Sequence, residues 1–458
     1  RQRVGAAGGV GHGGAGGDHG RVVAGHIADG QGQHPIIGIP ITIHQVEVDL
    51  LHQGVVAVIY IRPGGEAVIP LGVDHQGAYG LASGSAATAT TGITSDVLAG
   101  IVDASASGRK STVTVIGTFE IAASHLANPD AEIDTSAYGV LAGSGAAASN
   151  TIDSTVAAEL GNHLVVAAGT LDINATNRLT GWIDIDGKTG GLVSGASADT
   201  LTTVHFDTSV RFGTSSVVDT TDADGTLKAV VFNALEQWHK VKLVTGGALS
   251  GAGAYAQFDG TDVLGEIVIG QGAVLRSDGE IELEVDGTTD IKLQSYSETF
   301  GAATVALGYS KADITPTNRI VFLANAFVRA AEDMFISTGT DRDLNLPNHA
   351  LNMRVDNFAG SLIPISDLET RALYEAHNLV QIDAGAILEG YANIDLNADG
   401  FSFADVVGVA KATNWAASIG NALGGGSVGS GAGATRSAIM GDVVNNGTIR
   451  TGIKRAVA

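Results

Sequence analysis

From about residue 95 onward the chain alternates apolar and polar residues with a period of two. That period sends successive side chains to opposite faces of a strand. The runs are short and are separated by Gly, Asn, Asp, Ser and Thr, the residues that turns favour. Examples are STVTVIGTFEIAA, LVVAAGTLDINA, GWIDIDG, GEIELEVDG and TDIKLQS. In GEIELEVDG, Ile281, Leu283 and Val285 share one face, while Glu280, Glu282, Glu284 and Asp286 share the other, which is expected to face water. Two windows carry a helical pattern instead, LKAVVFNALEQWHKV over 227–241 and SDLETRALYEAHN over 366–378. The chain is therefore expected to be all-β, with two short helices at most.

The strands also repeat. GAVLRSDGEIELEVDG (272–287) aligns without a gap on GAILEGYANIDLNADG (385–400), an offset of 113 positions. Val274 matches Ile387, Leu275 matches Leu388, Ile281 matches Ile394 and Leu283 matches Leu396. A weaker copy, AFVRAAEDMFIS, starts at Ala326, 53 positions after Ala273 and 60 before Ala386. A unit of strand, bend, strand and turn cannot bury its apolar face alone, and stacking such units closes a continuous core. The best fit is a parallel β-helix, or β-solenoid, with rungs about 4.8 Å apart and outward loops of variable length. Gly and Asp-Gly supply the sharp corners, and Ala, Ser, Thr and Gly suit a narrow interior. Because the spacing is uneven, each unit is expected to hold two or more rungs. An array of β-sandwiches is the competing reading.

Composition divides the chain. Residues 1–82 contain no Ser, Asn, Lys or Phe, but seven of the 13 histidines, among them His12, His19 and His26. This Gly/His-rich segment is expected to be irregular, either disordered or the product of a wrong frame or gene start. The alternative is a genuine leader that binds metal weakly. Residues 83–458 form the repeat region. The chain starts at Arg1 and ends within a strand-like pattern, so it reads as an internal piece of a longer protein. Glycine fills 64 positions without a three-residue period, which excludes collagen. There is no cysteine, which excludes a disulfide scaffold and thiolate chemistry. A net charge of −23 argues against binding a nucleic-acid backbone. No apolar run is long enough for a transmembrane helix.

The phrases IVIGQGAVLRSDGEIELEVDGTTDIKL, KADITPTNRIVFLANAFVRAAEDMFISTGTD, NLVQIDAGAILEGYANIDLNADG and VNNGTIRTG resemble the rungs of filamentous-haemagglutinin-like large bacterial exoproteins. The resemblance covers roughly residues 100–455. It implies a right-handed β-helix, secreted or on the bacterial surface, that acts as a stalk, adhesin or matrix component. Host or environmental glycans, or matrix, are the partners it implies.

Candidate chemistry is sparse. Asp395, Asn397 and Asp399, followed by Gly400, match the opening of a calcium loop, where alternating oxygens converge on a hard cation. Position 12 of that loop is Val406, however, with Asp405 one residue early. The aligned copy reads Glu282, Glu284 and Asp286, so a strand ending in a turn is the plainer account and calcium binding is expected to be weak. Asp219, Asp222 and Asp224 form a second acidic cluster. The Gly-rich run from Gly424 lacks the lysine and spacing of a phosphate loop. HLANPD, from His125, is expected to be an exposed loop. Trp182, Trp238 and Trp415 fit core or loop packing better than carbohydrate platforms. No catalytic residue or further cofactor is indicated. The expectation is a non-enzymatic structural or adhesive segment. The alternative is a polysaccharide-processing β-helix, a lyase or hydrolase, which would need paired acids on an exposed rung face.

Overall fold

The computed structural model describes residues 59–61, 66–101, 111–222, 225–339, 348–398, 403–414 and 428–451. Among these the chain is all-β and no helix forms. Every strand pairing is parallel except one, where Ile59–Ile61 runs antiparallel to Ala99–Ile101. Parallel pairing on this scale does not fit an array of antiparallel sandwiches.

The chain returns alongside itself once per winding. Hydrogen bonds between neighbouring windings join residues 52 apart at Trp182 and Asp130, and 61 apart at Arg450 and Glu389. Each winding has a short strand followed by two long legs. In one winding these are Val217–Thr220, Leu227–Gly246 and Leu249–Ile269. In the next, Val274–Ser277 leads into Ile281–Phe322, which runs without a break round the bend between its legs. Ser111–Leu160 bends in the same way three windings before Ile281–Phe322. Both unbroken strands therefore pair on each leg. With Leu164–Gly190, Val193–Phe212, Leu227–Gly246 and Leu249–Ile269 they form a closed circuit of six parallel strands.

The three repeat copies stack in register. Phe327 lies between Val274 and Ile387, and Met334 between Ile281 and Ile394. One copy thus marks one winding, not two or more rungs. The motif covers only the short strand and the start of the first leg. The variable spacing comes from the remainder of the winding.

The two windows with helical patterns are strands. In 227–241, Leu227, Ala229, Val231, Leu235 and Val241 are buried, as are Asn233, Gln237 and His239 between them. In 366–378, Leu368, Ala372, Tyr374 and Ala376 are buried together with Ser366, Thr370 and Asn378. Polar residues in the inward row disguise the period of two. Some inward polar side chains find partners on the facing leg, while Gln237 and the Thr370 hydroxyl find none. Ser295 Oγ donates to the Tyr309 carbonyl at 2.7 Å, and Ser297 Oγ to that of Leu307 at 2.6 Å.

The interior is zoned along each winding. One apolar cluster lies beside the short strands and contains Val166, Val218, Leu275, Val328 and Leu388. A second lies midway along the legs and contains Ile133, Ile185, Phe258 and Ile291. Beyond it the facing residues become Ser, Thr and Ala, small enough for the two legs to approach.

The entry to each short strand is a column of tight turns. His163, Ser215, Gly272, Asn325 and Gly385 occupy it with φ between 57° and 79°. Backbone bonds close each turn, such as Ala273 N to the Gly270 carbonyl at 3.0 Å. Others link the column, such as Ser215 N to the Gln271 carbonyl at 2.9 Å. A left-handed conformation costs an ordinary residue roughly 1–2 kcal/mol, and glycine escapes it. Ser215→Gly is therefore expected to raise the melting temperature slightly and Gly272→Ala to lower it. A calorimetric scan showing the opposite order would contradict the shared turn geometry.

Candidate functional site

Side chains that point away from the interior are the available chemistry. Along the legs many are charged, and neighbouring windings bring opposite charges together. Lys240 Nζ lies 2.7 Å from Asp184. Arg450 lies 2.7 Å from Glu389. Glu266 is almost fully buried between Arg211 of the winding before, at 3.0 Å, and Arg319 of the winding after. The few basic residues thus act largely as ties between windings.

The charged column nearest to a catalytic arrangement is Asp172, Lys228 and Glu282, in register on three successive windings. Lys228 donates to Glu282. Burial opposes the Lys228 charge, but the bond to Glu282 and the fields of Glu282, Glu284 and Asp172 hold its ammonium above the ordinary range. Burial pushes the Asp172 carboxyl up, against the bond from Asn174 and the charge of Lys228. Glu282 and Glu284 are each only 6% exposed, which corrects the expectation of a wet face. Neighbouring windings cover them. Lys228 and Val230 stand on one side, and Phe335 and Ser337 on the other.

Of the residues singled out for calcium, two fall on a strand. Asp395 and Asn397 belong to the strand Ile394–Asn397, which stacks on Met334–Thr338. Asp399 lies outside the described residues. Asp219 sits on a strand 3.4 Å from Arg276, and the Asp222 carbonyl accepts from Gly225 N at 2.8 Å. Asp224, Trp415 and the Gly-rich run from Gly424 to Ser427 also lie outside the described residues, as do most of residues 1–82. The strand Glu66–Ile101 runs across residue 82. Trp182 and Trp238 sit in register on neighbouring windings and point outward. His125 is not in an exposed loop. It is buried, 3.0 Å from Asn177 Oδ1 and 2.9 Å from Ser154 Oγ.

The bend between the legs makes a different surface. Its segments read YGLASG, YGVLAGSG, GGLVSGAS, GGALSGAGA, FGAATVA and GSLIPIS in successive windings, without one charged residue. Leu141 and Leu249 there are 53% and 54% exposed. They stand in a ridge with Val193, which is also exposed; the next residue of that column is Ala303, and exposed Ile363 follows it. Beside the ridge, two residues further on, Gly84, Gly143, Gly195 and Gly251 stack in register and leave a shallow groove. Tyr79 and Tyr138 stack at 5.5 Å on the other side of the bend.

A second glycine column turns the corner itself. A Cβ on Gly139, Gly191, Gly247 or Gly301 would fall 2.0–2.3 Å from the carbonyl oxygen of the glycine in the winding before. Only glycine permits that approach. This corner motif carries its own signal in the sequence. G-[GVLA]-[LVA] followed by Ser or Ala and then Gly recurs near 80, 139, 191 and 247. It is hard to see because glycine is common throughout and the flanking residues are small.

No family model, curated protein or solved structure matches this chain. The functional reading therefore rests on the residues and their arrangement alone.

Proposed function

We propose that this chain is a non-enzymatic structural or adhesive segment of a large secreted or cell-surface bacterial exoprotein, wound as a right-handed parallel β-helix. The observation that carries the reading is the in-register stacking of one winding on the next, from the Glu66–Ile101 strand to the Thr448–Thr451 strand. Such an array gains stability with each added winding, which suits an extended stalk. Right-handed winding follows from the strong preference of parallel crossovers. The ties between windings support it too. Arg211, Lys228, Lys240 and Arg319 are engaged in holding adjacent windings together. Glycans or matrix are the proposed partners, reached from the exposed outer face.

The rival reading is a polysaccharide-processing β-helix, and the raised carboxyl of Asp172 beside Lys228 and Glu282 is the observation in its favour. One experiment separates the two. The full chain is applied to a glycan array and a cell-adhesion assay, and the supernatant is examined for released oligosaccharide. Binding without release is the expected result. Release that is lost in Asp172→Asn would overturn it.

A further inference from the structure

The bend carries two glycine columns, and the fold needs only one of them. Gly139, Gly191, Gly247 and Gly301 are required because a Cβ would strike backbone. Gly84, Gly143, Gly195 and Gly251 are not. A Cβ on Gly143 would meet nothing within 4 Å, and on the other three it would come no nearer than 3.8 Å to any atom. None of the four has a positive φ. Glycine in a strand weakens it and marks a bulge, a tight bend or the close approach of another backbone or a ligand; here neither a bulge nor a positive φ requires it. A four-winding column of unforced glycines therefore points outward, to something that seats against it.

The surroundings narrow what that is. The strip is uncharged in a chain of net charge −23. It therefore repels a second copy less than the rest of the surface does. Its hydroxyls are turned inward, since Ser194 Oγ donates to the Gly246 carbonyl at 3.1 Å and Ser250 Oγ to that of Phe300 at 3.0 Å. Few groups remain to hydrogen-bond a sugar. The ridge through Leu141, Val193 and Leu249 runs beside the glycine groove with the same rise per winding. A two-fold axis would place the ridge of one copy in the groove of another, rung for rung. Self-complementarity of one patch is what an isologous interface requires.

We infer that this edge is a lateral self-association surface, and that its occupant is the same edge of a second copy of this chain. From Ala82 to Leu249 it spans three rises, roughly 14 Å at about 4.8 Å each, before Ala303 interrupts the ridge and Val305 closes the groove. So short a strip buries far less than the roughly 800 Å² per partner of a standard interface, so a single pair associates weakly and a longer array associates more tightly. The inference does not depend on whether the outer face binds glycans.

Sedimentation velocity of the full chain over a concentration series, at low and high salt, tests it. The expected result is a sedimentation coefficient that rises with concentration, more steeply at high salt, where the repulsion of two acidic copies is screened. Gly195→Val fills the groove at a position with open space and suits a strand. It is expected to weaken association at least tenfold with a melting temperature equal to or above that of the parent. Leu249→Lys, on the ridge, should weaken association to a similar degree. A chain that stays monomeric at every concentration would overturn the inference. So would variants that associate like the parent, or a strip that captures cellulose or neutral vesicles while the chain remains monomeric.

Discussion

Leu283→Asp is expected to melt far below the parent chain and to open first to protease near residues 281–285. Leu283 is fully buried and lies between Ala229 and Ile336 of the neighbouring windings. Removing its side chain alone would cost about 2–5 kcal/mol, the usual range for a buried leucine reduced to alanine. A carboxyl at the same place adds desolvation with no partner in the apolar cluster, several kcal/mol more even after it takes up a proton. In a stack the damage is local in origin and spreads to both neighbours, because each winding is held mainly by the two beside it. Ile281→Asp should act in the same way, since Ile281 is packed between Leu227 and Met334. Thermal melting followed by circular dichroism reads the effect. A melting temperature equal to the parent's would mean that this row does not face the core.

That row was legible because it is purely apolar and because three copies of it could be aligned. The alignment of 272–287 with 385–400, and of Ala326 with Ala273, matches the register in which these strands pair. The length of a winding was hidden, since only about a third of it carries the motif. On the long legs the inward row mixes Leu and Val with Asn, Gln, His, Ser and Thr. A period of two in burial then ceases to be a period of two in hydropathy. Residues 227–241 and 366–378 imitate helices for that reason. Glu282 and Glu284 share an outward face, as their alternation with Ile281, Leu283 and Val285 predicts, but that face is covered rather than wet. Which side chains of the next winding lie over a given residue depends on a register some 54 positions away, as for Lys228 and Glu282. No local pattern encodes it.

The edge of the bend was missed for another reason. Its motif is made of Gly, Ala, Ser and Leu, which are common everywhere in this chain. Its two glycine columns differ only in what a Cβ would meet, backbone at 2.0–2.3 Å in one and open space or ordinary contact in the other. Composition counts both alike. Three-dimensional stacking separates glycines that the corner demands from glycines that the fold could replace, and only the latter bear on function.

Acid should unfold this chain well before its surface carboxylates are neutralised, because histidines are built into the interior. His239 is fully buried, with Thr200 Oγ1 3.1 Å from Nδ1 and Thr202 Oγ1 3.0 Å from Nε2. Burial lowers its pKa from 6.5 to about 3. His349 packs against the Tyr374 ring at 4.5 Å, and burial lowers its pKa to about 4. His125 is lowered too, chiefly by burial and partly offset by its bond to Asn177. A group whose folded pKa is depressed is held neutral by the fold, while the unfolded chain takes up a proton below about pH 6.5. Stability is thus complete above pH 6.5 and falls as the pH drops toward 4. By pH 4 the loss from His239 and His349 is on the order of 3 kcal/mol each. Asp130 and Asp172, whose carboxyls burial pushes up, act in the opposite sense, but they are two groups against three. Melting temperatures should hold between pH 7.5 and 6.5 and then fall steadily to pH 4.5. His239→Gln, which stays neutral throughout, should start lower at pH 7.5 and lose less on acidification. A flat profile over that range, or an equal slope in the variant, would show that these rings are solvated rather than enclosed between the legs.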